Sequence, residues 1–262
     1  MKIIRYQKND EFSYGILKGE DVYQLKGNIF KQFSAGEKIA NIEEVELLAP
    51  VEPPNIIAIG LNYRQHAEET GAEIPERPVI FLKATTSITD PDSDILLPKL
   101  AAEEVDYEAE LAVIIGKEAK NLETVEVSDY ILGYSCANDV SARDCQKKLD
   151  KQWARGKSFD TFCPIGPWIE TELNPNNCSI RSILNGKVMQ ESNTSDMIFN
   201  VEQLVSYLSH NMTLLPGTVI LTGTPEGVGF AREEKVFLRD GDEIVIEIEG
   251  LGRLKNSVLK EK

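Results

Sequence analysis

The sequence predicts a strand-dominated α+β chain. Three observations predict it: short apolar or alternating runs bounded by turn residues recur along the whole length, only two or three stretches carry helical spacing, and regular strand–helix–strand alternation is missing. At 262 residues the chain is long enough to bury a sizeable core in one large or two modest domains.

Residues 1–50 read as a small β-rich domain. Runs at Lys2–Tyr6, Ser13–Leu17 and Asp21–Leu25 are separated by the turn signals Asn9-Asp10 and Lys18-Gly19-Glu20. Pro50, Pro53 and Pro54 punctuate a change of pattern and mark a boundary, with a catalytic domain over 51–262. That second part opens with an apolar strand, Asn55–Gly60, then a polar helix-compatible stretch, Leu61–Thr70, then a buried strand at Arg77–Lys83. Thr89–Ala102, with Asp90-Pro-Asp-Ser-Asp94 and Pro98, reads as a loop. A strand over Glu104–Gly116 follows, then a polar connection at Asn121–Asp129 and a strand at Tyr130–Ala137. Ser141 with Asp144 three residues on resembles a capping box, which predicts a helix to about Trp153. Lys157–Pro164 is read as irregular, Gly166–Glu170 as a strand, and Asn185-Gly186 as a two-residue hairpin turn. Asn200 with Gln203 starts a helix whose Val201, Leu204, Val205 and Leu208 recur at helical spacing. Thr218–Thr222 forms a strand into the glycine-rich turn Gly223–Gly229, and Glu243–Glu249 pairs with Arg253–Val258 as a closing hairpin.

Composition narrows the function classes. Acidic residues outnumber basic ones by 43 to 28, a formal charge of −15, which argues against general nucleic-acid or anionic-membrane binding. No apolar run approaches the roughly 20 residues that span a bilayer, and the amino terminus lacks a basic stretch with an apolar run and cleavage site, so a cytoplasmic protein is expected. Cys136, Cys145, Cys163 and Cys178 form no Cys-x-x-Cys pair and are expected to be reduced and packed.

The chemistry centres on Glu104-Val-Asp-Tyr-Glu-Ala-Glu-Leu-Ala-Val-Ile-Ile-Gly116. In a strand Glu108 and Glu110 share one face while Leu111, Val113 and Ile115 point the other way. Two like charges beside an apolar run are costly without a cation between them, and a divalent ion answers that need. In an acidic chain Glu-x-Glu is also what a solvated strand face looks like. Asp139, at the mouth of the next strand, supplies a third oxygen ligand of the kind Mg²⁺ takes. Three carboxylates and one Mg²⁺ leave a net negative site that would repel an acid, and Lys157 restores neutrality. His66 and Glu69 stand one helical turn apart, as an acid/base pair would. His210, near a helix C-terminus, is explained by the helix dipole. Gly223–Gly229 presents a hydroxyl and glycine-permitted backbone amides suited to gripping a carboxylate, as well as being an ordinary turn.

Six segments in order resemble the fumarylacetoacetate hydrolase family over nearly the whole chain: Ala58–His66, Phe81-Leu-Lys83, Asp106–Leu111, Asn138–Asp144, Gly156–Pro164 and Leu221–Gly229. The resemblance implies a mixed β-sandwich roll catalytic domain behind a small N-terminal domain, Mg²⁺ or Mn²⁺ on Glu108, Glu110 and Asp139, and a homodimer. It implies Lys157 beside the metal-bound substrate and His66 with Glu69 as the catalytic dyad. Gln190 and Thr224 match positions that contact a substrate carboxylate, with Gly223 and Lys83 also assigned to the substrate; Arg143 matches only as a motif residue. Ala84 departs from a pattern in which many relatives carry proline.

The expected activity is metal-dependent C–C cleavage of a small 2-oxo acid or diacid through a stabilised enolate, as in acylpyruvate hydrolysis or oxaloacetate decarboxylation. Isomerisation of 2-hydroxyhepta-2,4-diene-1,7-dioate is the alternative within the family. A catalytically silent dicarboxylate binder is the rival from another class, although a binder has no use for a poised base.

Overall fold

The computed structural model describes residues 1–101 and 103–262. Its first 50 residues run back and forth: β1 (Lys2–Lys8), β2 (Glu11–Lys18), β3 (Asp21–Gly27), β4 (Phe33–Asn41) and the short β5 (Glu46–Leu48). Asn9 and Asp10 both adopt positive φ, 51° and 64°, as a tight right-twisted hairpin requires, and register β1 on β2 from Lys2↔Leu17 to Lys8↔Glu11. One face of this meander buries Ile4, Tyr6, Leu17, Val22 and Ala40 together. Its neighbour Ile3 joins a different core, packed with Ile56, Ile114 and Ile165.

Next come β6 (Ile56–Ile59), α1 (Arg64–Thr70), β7 (Ile80–Lys83), β8 (Ile88–Thr89), β9 (Asp94–Leu97), β10 (Val105–Asp106) and β11 (Ala109–Ile115). They are followed by β12 (Ile131–Asn138), β13 (Ser141–Ala142), α2 (Ala154–Lys157), β14 (Cys163–Glu170), β15 (Ser179–Leu184) and β16 (Lys187–Asn193). The chain ends with α3 (Val201–Asn211), β17 (Val219–Leu221), β18 (Glu243–Ile248) and β19 (Gly252–Lys260).

The main mixed sheet runs β4-β3-β2-β1-β14-β12-β11-β17-β6-β7, so β1 carries the N-terminal meander directly onto β14 through Ile3↔Ile169. A second sheet runs β16-β15-β18-β19-β9. Every residue of β11 is buried because the strand is covered on both faces. Leu111, Val113 and Ile115 pack with Ile180, Ile246 and Leu204 from the second sheet and α3, while Ala112 and Ile114 pack with Ala58, Val219 and Leu221.

Strand dominance, the Asn185-Gly186 hairpin (φ 50° and 78°) and the reciprocal Asn200–Gln203 capping box all match expectation. Five elements differ. The predicted Thr89–Ala102 loop contains β9, which pairs in parallel with β19 from Asp94↔Ser257 to Leu97↔Lys260; its last residue, Ala102, lies outside the described residues. The aspartates and prolines there signal turns, and the alternating burial of Ile95 and Leu97 is too short a pattern to outweigh them. The strand predicted over 104–116 breaks at Tyr107-Glu108, with β10 leaving to pair β13. The predicted helix from Ser141 forms only in part: Ser141 lies in β13 opposite Asp106, helical backbone begins at Arg143 and passes into a π-turn over Cys145–Leu149 with Asp144 accepting from the Cys145 amide, and residues 150–153 leave the helix before α2. Finally, β14 starts at Cys163 rather than Gly166, and β7 is an edge strand with Leu82 53% exposed rather than a buried one.

Leu111→Ala, in the doubly covered β11, should lower unfolding free energy by about 2–5 kcal/mol. Val125→Ala, at a side chain 87% exposed, should stay within about 0.5 kcal/mol of the parent in the same urea titration.

Candidate active site

Two adjacent strands assemble the acidic centre. β11 and β12 register Ala109 on Asn138 and Glu110 on Ala137, which places Glu108 and Asp139 across from each other at the strand mouths. The Asp139 amide donates to the Glu108 carbonyl (2.9 Å) and the Glu108 amide donates to Asn138 Oδ1 (3.0 Å), locking the two backbones together. One carboxylate oxygen from each of Glu108, Glu110 and Asp139 lies within 4.8 Å of the others, and all three side chains are buried.

Cations surround the cluster. Lys157 Nζ donates to Glu108 Oε2 (2.8 Å) and Asp139 Oδ2 (2.6 Å), and Lys83 Nζ donates to Asp139 Oδ1 (2.5 Å). Arg143 lies 2.7 Å from Glu108 Oε1 and 2.8 Å from Asp106 Oδ2. Burial opposes ionisation of Glu108, but Lys157 and Arg143 outweigh it and hold its carboxyl below the ordinary range. Glu110 behaves oppositely: burial, then Asp139 and Glu108, push its carboxyl well above the ordinary range, against the help of Lys157 and the Gly223 amide at 2.7 Å. A hard cation beside Glu110 would relieve this, and three carboxylate oxygens are a donor set that fits Mg²⁺ or Mn²⁺. With Lys83 as well as Lys157 at hand, such a loaded centre would carry positive rather than zero net charge, which suits an anionic substrate.

The dyad forms as well. His66 Nδ1 lies 2.9 Å from Glu69 Oε2 on α1, and the Gly227 amide donates to Glu69 Oε1 (2.9 Å). An ionised carboxylate can only accept, so Nδ1 carries the proton and Nε2 is the basic atom. Asn62, just ahead of α1, ties the helix entrance to Thr222 and Phe199 by donating to both carbonyls.

A cavity of about 270 Å³ brings these groups together. His66, Glu108, Lys157 and Thr224 line it; Lys83, Gln190 and Gly223 do not. Each of the latter three is occupied within the protein. Lys83 holds Asp139, Gly223 holds Glu110, and Gln190 accepts from the Ala109 amide while donating to Thr224 Oγ1 and the Pro225 carbonyl. Of the Gly223–Gly229 amides expected to suit a carboxylate, those of Gly223, Gly227 and Gly229 donate to the protein's own Glu110, Glu69 and Asp106. Thr224 donates its hydroxyl to the Ala109 carbonyl (3.0 Å) and would have to release it to reach a substrate oxygen.

Arg143, Gln146, Lys147, Trp153 and Phe230 also line the cavity and were not assigned to it from sequence. A signal for Arg143 was present. Arg143 follows Asp139 and Ser141 at every second position where the extended chain of β13 turns into a helix, and both Ser141 (3.4 Å) and Arg143 meet Glu108. Starting the helix at Ser141 rather than Arg143 hides the short strand that sets this spacing.

The fold and site define an enzyme class with a buried acidic cluster and a histidine–glutamate pair beside one cavity. Residues 55–259 match the fumarylacetoacetate (FAA) hydrolase C-terminal family, and residues 1–50 match the Rv2993c-like N-terminal family. The fumarylacetoacetate hydrolase domain-containing protein 2 homolog of Dictyostelium discoideum is 45% identical, covering 95% of this chain and 85% of its own. The mitochondrial oxaloacetate tautomerase Fahd2a of Rattus norvegicus is 46% identical over 82% of this chain and 70% of its own. A crystal structure of 5-carboxymethyl-2-hydroxymuconate delta-isomerase from Mycobacterium smegmatis superposes with a TM-score of 0.90 at 40% identity, covering all of both chains. The chain belongs to the fumarylacetoacetate hydrolase family and is an enzyme, which sets aside the silent binder.

In chelator-treated protein the raised Glu110 carboxyl makes its protonated form the stabilising one, so that contribution is present at acidic pH and lost as pH rises through the elevated folded value. Glu110→Gln should therefore be no less stable than the parent at about pH 8 without metal, yet lose the rise in melting temperature that Mg²⁺ produces in the parent. Scanning calorimetry with and without Mg²⁺ checks both.

Proposed function

We propose that the chain performs enolate chemistry on small 2-oxo acids, interconverting the keto and enol forms of an oxaloacetate-like substrate. One observation carries this reading: a single cavity is lined by Glu108 of the carboxylate triad, by Lys157 and by His66 of a formed dyad. The tautomerase name of the rat relative supports it. A divalent ion held by Glu108, Glu110 and Asp139 would supply Lewis acidity where negative charge develops on the 2-oxo group.

The chain's own groups account for the proton. His66 Nε2 takes a proton from C3, the C–H electron pair becomes the C2–C3 double bond, and the carbonyl electrons move to oxygen. The imidazolium returns the proton to that oxygen, and Glu69 stabilises the imidazolium meanwhile. Lys157 has three N–H donors, two of them committed to Glu108 and Asp139, so one is left for substrate. Where C3 carries a group able to leave with its bonding pair moving into the enolate, the same arrangement serves C–C cleavage.

Deuterium uptake at C3 of oxaloacetate in D₂O with Mg²⁺, followed by proton NMR, measures the transfer directly, and CO₂ release from the same sample reports cleavage. The parent should exchange well above buffer. His66→Asn should slow exchange about 100-fold or more while retaining Mg²⁺ stabilisation. Glu108→Gln should abolish both exchange and cleavage. Exchange in the parent no faster than in buffer would overturn the reading.

A further inference from the structure

Lys147 is the cavity-lining cation that no carboxylate holds. Its neighbour Lys148 turns away to Glu104, Arg143 is committed to Asp106 and Glu108, and Lys157 to Glu108 and Asp139. Lys147, by contrast, makes no ion pair among the described residues, and its Nζ stands 3.9 Å from the centre of the Phe230 ring. The Arg143 guanidinium stands 4.3 Å from the centre of the same ring. Two cations thus gather on one aromatic side chain in a protein whose formal charge is −15.

That arrangement is held in place. The Phe230 and Gly229 amides both donate to Asp106 (3.0 and 2.8 Å), and Asp106 also accepts from Arg143 Nε (2.9 Å). Burial, then the Arg143 charge, push the Lys147 ammonium below the ordinary lysine range, with Glu108 and Asp106 opposing the shift only in part. An incoming anion would relieve that repulsion.

We infer that Lys147 is the residue that reads the second, remote carboxylate of a 2-oxo diacid, making the enzyme selective for dicarboxylates over 2-oxo acids with neutral tails. The inference rests on the proposed function for the other end of the ligand. A 2-oxo acid head belongs at Glu108 and Lys157; Ile59, Leu61 and Phe81 provide apolar wall for methylenes; and Lys147 beside Phe230 offers a positive terminus. About 270 Å³ suits a short diacid. Lys147 lines the cavity yet is solvent-exposed, so water screens its charge and its effect is on preference rather than on the chemical step.

Two non-hydrolysable probes of equal chain length separate the idea from catalysis: 2-oxoglutarate and 2-oxopentanoate, which differ only in the terminal carboxylate. Isothermal titration of the Mg²⁺-supplemented protein should show 2-oxoglutarate bound about tenfold or more tightly by the parent. That preference should shrink to about twofold or less in Lys147→Met and return in large part in Lys147→Arg, whose charge is retained. A parent without the preference, or a Lys147→Met variant that keeps it, overturns the inference whatever the catalytic result. An intact preference alongside failed deuterium exchange would overturn the proposed reaction and leave the role of Lys147 standing.

Discussion

The structure depends on the compensation of buried negative charge at the mouths of β11 and β12. Glu108, Glu110, Asp139 and Asp106 lie within a core that would otherwise exclude them. Lys157, Lys83 and Arg143 arrive from three separate parts of the chain to meet them. Removing one partner from such a network leaves a buried charge uncompensated, which typically costs about 3–5 kcal/mol, so these contacts constrain α2, β7 and the turn after β13 to converge on β11. Glu110 is the member left undercompensated, and it is there that a hard cation would complete the balance.

The glycine-rich turn after β17 acts as a brace for that balance. Its amides reach Glu110, Glu69 and Asp106 in succession, connecting the acidic centre, the dyad and the Arg143–Phe230 wall through one loop. Gly227 has φ of 92°, and a Cβ there would come within 2.4 Å of the Met189 carbonyl, so close approach to β16 requires glycine. The histidine–glutamate pair and the acidic cluster are therefore tied to one backbone loop. Preorganisation of this kind suits the enolate chemistry proposed above.

Much of this was legible from residue order. Hairpin turns, the Asn200–Gln203 cap and strand dominance follow from local propensity, and local signals report local geometry. The acidic cluster was legible because burying two glutamates beside an apolar strand has few solutions. His66 and Glu69 were legible because both lie on one short helix. Segments whose conformation is set by distant partners were misread. Ser141-Ala142 has a helix-start pattern, yet its pairing with Asp106 and Val105 keeps those two residues extended and delays the helix to Arg143. β9 is too short to announce itself without β19 beside it.

Residue order already carried the inventory of charges and the elements that hold them: three carboxylates, a lysine and a histidine–glutamate pair, placed on strands, strand ends and a helix. Which of those groups face the cavity and which face each other was settled by long-range packing. Gln190, Gly223 and Lys83 have suitable chemistry for a substrate, but their hydrogen bonds go to the protein, whereas Arg143, Lys147 and Phe230 line the cavity wall. Hydrogen-bonding capacity is intrinsic to a residue, while its unused remainder depends on what folding brings within about 3 Å of it.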